Sequence, residues 1–125
     1  MNGRTIAVVG ASADRTKYGN KAVRAFRDAG WTVFPVHPSL KAVEGITAYR
    51  DLDSVPVLKL DQISFYVPPQ IGVRLLDQVV RKGPGEVWLN PSSESPELLD
   101  RATALGLQVI QACSITGAGG RPADY

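Results

Sequence analysis

The chain has 125 residues, 44% of them hydrophobic and 21% charged, with a net charge of +2. Those values suit one soluble globular domain that can bury its own core. One cysteine, Cys113, and one histidine exclude an internal disulfide framework and a His/Cys metal cluster, while the small net charge and short apolar runs give no case for nucleic acid or a membrane as partner.

The first five residues lead straight into a strand-like run without a signal-peptide pattern, which with the lone cysteine points to the cytoplasm. Thr5 to Val9 is that run, β-branched and apolar, ending at Gly10. A loop over residues 11–18 follows, then a helix over about 19–29, where Ala22, Ala25, Phe26 and Ala29 form the stripe of a helix lying on a sheet. Gly30 ends it. Residues 31–36 form the second strand, closed by His37-Pro38 because proline cannot continue a central strand. Residues 39–57 read as irregular, with a short turn near Leu52.

The third strand, residues 62–67, stops at Pro68-Pro69. A helix starts there, proline being at home in a first turn, with Ile71, Leu75, Leu76, Val79 and Val80 as its buried face. Gly83-Pro84-Gly85 ends it before a fourth strand at 86–89. Ser93 or Ser95 caps a further helix through about Leu105, with Leu98, Ala102 and Leu105 inward. The fifth strand is 107–111. The glycines and proline after Thr116 make 116–125 a flexible tail on a domain of residues 1–115.

Strands alternating with helices predict a parallel sheet with right-handed crossovers, and near-continuous apolar strands predict helices on both faces. The expected fold is α/β, a doubly wound, Rossmann-like sheet of five parallel strands in the order 3-2-1-4-5. Its switch point then lies between strands 1 and 4.

Ligands of such sheets bind beyond the carboxyl ends of the strands. Gly10 allows the chain to turn there, and Ser12 with the amides entering the first helix can donate to an anion. The alternative is that Gly10 serves only the strand exit and Ser12 bonds its own backbone. Through Arg50 there are eight Lys and Arg against three acids, and beyond it six against nine. Arg15, Lys17, Lys21 and Lys41 are therefore either a solvated basic face or a phosphate-attracting rim.

The loop departs from G-x-G-x-x-G at Ser12 and Arg15, and the second strand ends in Val36-His37-Pro38 without the acid of an NAD site. Lys41 suits a phosphorylated ribose instead, as in NADP or coenzyme A. Catalytic groups are few. His37 has no carboxylate near it in sequence, and Gly10-Ala11-Ser12-Ala13-Asp14 lacks the last glycine of a nucleophile elbow. Cys113 follows the fifth strand, on the ligand side, as a small apolar residue or a reactive thiol.

Several stretches fall in the order of a known family: residues 7–12, 14–19, 29–38, 45–49, 65–69, 87–90 and 107–110, with Cys113 after them. The chain resembles the small stand-alone CoA-binding proteins, which are similar to the N-terminal CoA-binding domain of the succinyl-CoA synthetase alpha subunit. The resemblance implies that Gly10, Ala11 and Ser12 face the phosphates, with Arg15, Lys17 and Tyr18 lining the same loop. Pro38 and Lys41 would flank the adenosine 3′-phosphate. Val67, Pro68 and Pro69 would wall the adenine and ribose. Asn90 would join the site where the family often has Gln, and His37 stands where it often has Asn.

The expectation is non-catalytic binding of coenzyme A, free or acylated, because synthetase catalysis resides in further domains. The partner is then a small-molecule nucleotide cofactor, and oligomeric state is left open. An NADP-type dinucleotide-binding enzyme or redox sensor, and an interaction protein with an empty site, remain as the other readings.

Overall fold

The computed structural model describes residues 3–125; Met1 and Asn2, which open the N-terminal reading, lie outside the described residues. β1 (Thr5–Val9) is fully interior, pairing in parallel with β2 (Thr32–Val36) on one side and β5 (Gln62–Phe65) on the other. β6 (Glu86–Leu89) and β7 (Val109–Gln111) extend the sheet beyond β5, giving the order β2-β1-β5-β6-β7. The chain is therefore a five-stranded, parallel, doubly wound, Rossmann-like α/β domain.

The strand order expected from sequence needs one correction. In terms of the five long strands it is 2-1-3-4-5, with the third strand beside the first and not beyond the second. The reason lies in the link from β2 to β5, read above as irregular. It buries Leu52, Val55 and Leu60 in the same cluster as Ala7, Val9 and Ile63, so it crosses β1 on the face opposite α1 (Tyr18–Asp28). A right-handed crossover on that face delivers the next strand to the far side of β1. The switch point moves with it, to the gap between β1 and β5.

On the α1 face, Ala22, Val23 and Phe26 cover Ile6, Val8 and Val33. Phe26 meets Trp31 edge-to-face at 5.0 Å, an arrangement that contributes about 1 kcal/mol beyond burial. The other face carries α2 (Pro69–Arg74), α3 (Leu76–Arg81) and α4 (Pro96–Ala104). The helix expected after Pro68 is two helices, broken at Leu75. A Cβ on Gly72 would sit 3.1 Å from Leu98, so Gly72 faces α4 and turns Ile71 outward. Ile71 is accordingly exposed rather than buried, and Val80 and Leu105 are exposed as well. Ser95 is the cap of α4, accepting from the Leu98 amide at 3.1 Å.

A small hairpin, β3 (Ala42–Val43) with β4 (Ile46–Thr47), leans over the start of α1. After β7 come α5 (Ser114–Gly117) and a 3-10 turn at Pro122–Asp124. Residues 116–125 fold back on α1, where the Tyr125 hydroxyl donates to Asp28 at 2.9 Å.

Candidate functional site

Gly10 leaves β1 with φ +93°, and a Cβ there would lie 2.9 Å from both the Tyr66 carbonyl carbon and Val67 Cγ1. Glycine is thus required twice, for the backbone conformation and for the close approach to the end of β5. Its amide and that of Ala11 both donate to the Val36 carbonyl, at 3.1 and 3.2 Å. Those two donors are spent on holding the turn. Among the described residues, the amides of Ser12, Ala13, Tyr18 and Gly19 make no hydrogen bond.

Residues 12–17 fold into a tight, self-bonded loop. Ser12 Oγ accepts from the Asp14 amide at 3.0 Å, so its side chain does bond its own backbone. The Asp14 carboxylate accepts from the Thr16 amide and hydroxyl at 2.9 and 2.7 Å. The Thr16 bonds hold the Asp14 carboxyl below the usual carboxylate range. The loop delivers Lys17 as the residue before α1, with no side-chain cap and no acid in the first turn. A helix start normally favours negative charge. This one presents Lys17 and open amides, an arrangement that an anion would complete.

Gly19 has a role that the sequence reading missed. A Cβ on it would penetrate the Gly10 carbonyl oxygen and crowd Ala11, so α1 sits backbone to backbone on the turn. It performs the close-packing task of the last glycine in G-x-G-x-x-G, at a longer spacing. A second clamp also went unforeseen. Asn20, buried in α1, donates to the Ser12 carbonyl at 2.8 Å and to the Glu44 carboxylate at 3.1 Å. Asn20 foremost, then the charges of Arg15, Arg24 and Arg27, holds Glu44 below the usual carboxylate range. Arg15 pairs with Glu44 at 3.1 Å, tying the loop to the hairpin.

Three cavities meet around Tyr66. One of about 390 Å³ reaches from Gly10 past His37 and Pro38 to Leu52 and Ile71. A second, about 480 Å³, lies between the Ser12–Gly19 loop, Pro68 and Ser92. The third, about 420 Å³, is bounded by Tyr18, Asn90 and Cys113. Of the residues expected at the site, Gly10, Ala11, Ser12, Lys17 and Tyr18 line this crevice, as do Pro38, Val67, Pro68 and Asn90. Arg15, Lys41 and Pro69 do not; Pro69 begins α2 behind Pro68.

Asn90 is buried and its amide is committed inward. Its Nδ2 donates to Ser64 Oγ and the Phe65 carbonyl at 2.8 and 3.0 Å, and its Oδ1 accepts from the Ser114 amide at 2.8 Å. Ser114 Oγ lies 2.7 Å from both Ser64 Oγ and the Tyr66 hydroxyl. Burial pushes the Tyr66 phenol up to about 12. His37 Nδ1 accepts the Ser39 and Leu40 amides at 3.1 and 3.0 Å. An asparagine Oδ1 stands equally far along its side chain, so histidine preserves the turn. Among the described residues there is no cluster of metal-ligating side chains and no helix long and apolar enough to cross a membrane.

A conserved hypothetical protein from Pyrococcus furiosus has a similar structure, at TM-score 0.82 and 32% identity over 91% of this chain and 98% of that one. The dinucleotide-forming acetyl-coenzyme A synthetase 1 of Ca. Korarchaeum cryptofilum, solved with phosphate and ADP, matches at TM-score 0.75 and 28% identity. That match covers 86% of this chain and 25% of the synthetase. In sequence the chain is 28% identical to the alpha subunit of an ADP-forming acetate–CoA ligase II of Pyrococcus furiosus, over 88% of this chain. It spans about a quarter of that subunit, 26%. A profile for the CoA binding domain matches residues 4–118. The chain belongs to the CoA binding domain family.

Proposed function

We propose that this chain binds coenzyme A, free or acylated, as a stand-alone module that carries out no reaction itself. The observation that carries the reading is the set of open amides at Ser12, Ala13, Tyr18 and Gly19 beside Lys17, at the switch point of the sheet. Such a set suits a pyrophosphate, with the helix start and lysine supplying positive potential. Val67, Pro68, Pro38 and Ile71 give the adjoining cavity apolar walls for a purine.

In this reading Gly10 and Ala11 shape the turn, while Ser12, Lys17 and Tyr18 contact the cofactor. Arg15, Pro69 and Asn90 support the contacts from behind. His37 commits Nδ1 to backbone amides, which leaves it poorly placed as a general base. We place the module in the cytoplasm, with a small nucleotide as its partner and no nucleic acid or membrane. Residues 1–115 are the binding unit, and 116–125 an appended tail that folds back on α1.

Calorimetry with Ser12→Trp tests the placement. The indole fills the loop, so binding of coenzyme A is lost. The melting temperature moves by no more than about 3 °C, Ser12 being partly exposed. Unchanged affinity would put the site elsewhere.

A further inference from the structure

The cavity that reaches Leu52 has a charged rim, on which the resemblance accounts for Lys17 and His37 but not for Arg50. Lys17, His37 and Arg50 stand on it with Asp51. Arg50 is placed by the backbone. The Tyr49 amide donates to the Pro35 carbonyl and its own carbonyl accepts from the His37 amide, both at 2.9 Å. Residue 50 therefore follows a short parallel pairing along β2 and emerges past its carboxyl end, beside His37.

The guanidinium of Arg50 has little to hold it. Its side chain is 80% exposed, and its one ion pair is a loose 3.7 Å contact from Nε to Asp51. Asp51 is itself engaged in the next turn, its Oδ1 accepting from the Ser54 amide and hydroxyl at 2.8 and 2.6 Å. The two terminal nitrogens of Arg50 make no hydrogen bond among the described residues. They remain a planar pair of donors at the mouth of an apolar-walled cavity. Lys41, by contrast, sits exposed at the base of the hairpin, and it lines none of the cavities around Tyr66.

We infer that Arg50, and not Lys41, reads the phosphate carried on the ribose of the bound nucleotide. The inference rests on the crevice being a coenzyme A site, and it names the residue that distinguishes coenzyme A from its 3′-dephospho form. A guanidinium meets a phosphate through two parallel hydrogen bonds, which an ammonium group cannot do. Lys17 and His37 add donors on the same rim.

Calorimetry with coenzyme A and 3′-dephospho-coenzyme A, on the unaltered chain, Arg50→Gln and Lys41→Gln, decides it. The unaltered chain prefers coenzyme A by about tenfold. Arg50→Gln abolishes that preference while its affinity for the dephospho form stays within about twofold, and Lys41→Gln keeps the preference. A preference that survives in Arg50→Gln, is lost in Lys41→Gln or is missing from the unaltered chain would overturn the inference. Binding of neither compound by the unaltered chain would instead overturn the coenzyme A reading.

Discussion

Two junctions lie past the carboxyl ends of the strands and use their polar groups in opposite ways. At the start of α1, the amides of Ser12, Ala13, Tyr18 and Gly19 are left without partners beside an uncapped, lysine-flanked helix. Between β5, β6 and α5, Asn90, Ser64, Ser114 and Tyr66 close a buried network in which each side chain meets another. Buried polar groups are normally satisfied, so the second junction is a structural joint. Of the first, Ser12, Tyr18 and Gly19 line the crevice, where open donors can be redirected to an anion. In the proposed reading, the binding surface is the junction that leaves its donors unbonded.

The largest expected effect comes from the geometry of the open junction. Gly19→Ala drives a methyl group into the Gly10 carbonyl, and backbone cannot yield as a flexible side chain can. Thermal unfolding should show a loss of about 4 kcal/mol, with a melting temperature lower by roughly 10 °C or more. A normal melting curve would mean that α1 does not sit against the turn as described.

The closed junction should be sensitive to alkali. Tyr66 has its phenol raised to about 12, chiefly by burial, against 10 in the unfolded chain. Its stabilising contribution is therefore complete below pH 10 and lost as the pH rises from 10 towards 12, an amount of about 3 kcal/mol. Denaturant titrations across that range should show the loss in the unaltered chain and a shallower one in Tyr66→Phe. Parallel profiles would show that Tyr66 is not held neutral by its site.

A smaller effect sharpens the contrast between the junctions. Asn90→Ala removes the partner of the Ser114 amide and costs about 2 kcal/mol of stability. Affinity for coenzyme A should change by less than about threefold in the folded variant, because the lost bonds face inward. Lost binding with unchanged stability would make Asn90 a ligand contact.

Much of this was legible in the sequence, for identifiable reasons. The five strands announce themselves as apolar runs punctuated by glycine and proline, and Gly10 marks the ligand-side turn. Strand order was not legible, because nothing in an apolar run says on which side of β1 the chain returns. That is decided by Leu52, Val55 and Leu60 covering one face in place of a helix. Gly19 and Arg50 were missed for a related reason, since both owe their roles to segments distant in sequence. For Gly19 that is the Gly10 carbonyl, and for Arg50 the pairing of Tyr49 with β2. A capping role for His37 could have been found, since a polar side chain that accepts from amides two and three residues on is a local turn signal.

Amide resonances followed by NMR during titration with coenzyme A give the most direct test. The largest shifts should fall on Ser12, Ala13, Tyr18 and Gly19, with those of Gly10 and Ala11 smaller because Val36 already holds them. Saturable binding whose shifts gather around Ser114 and β7, leaving residues 12–19 unmoved, would contradict the account.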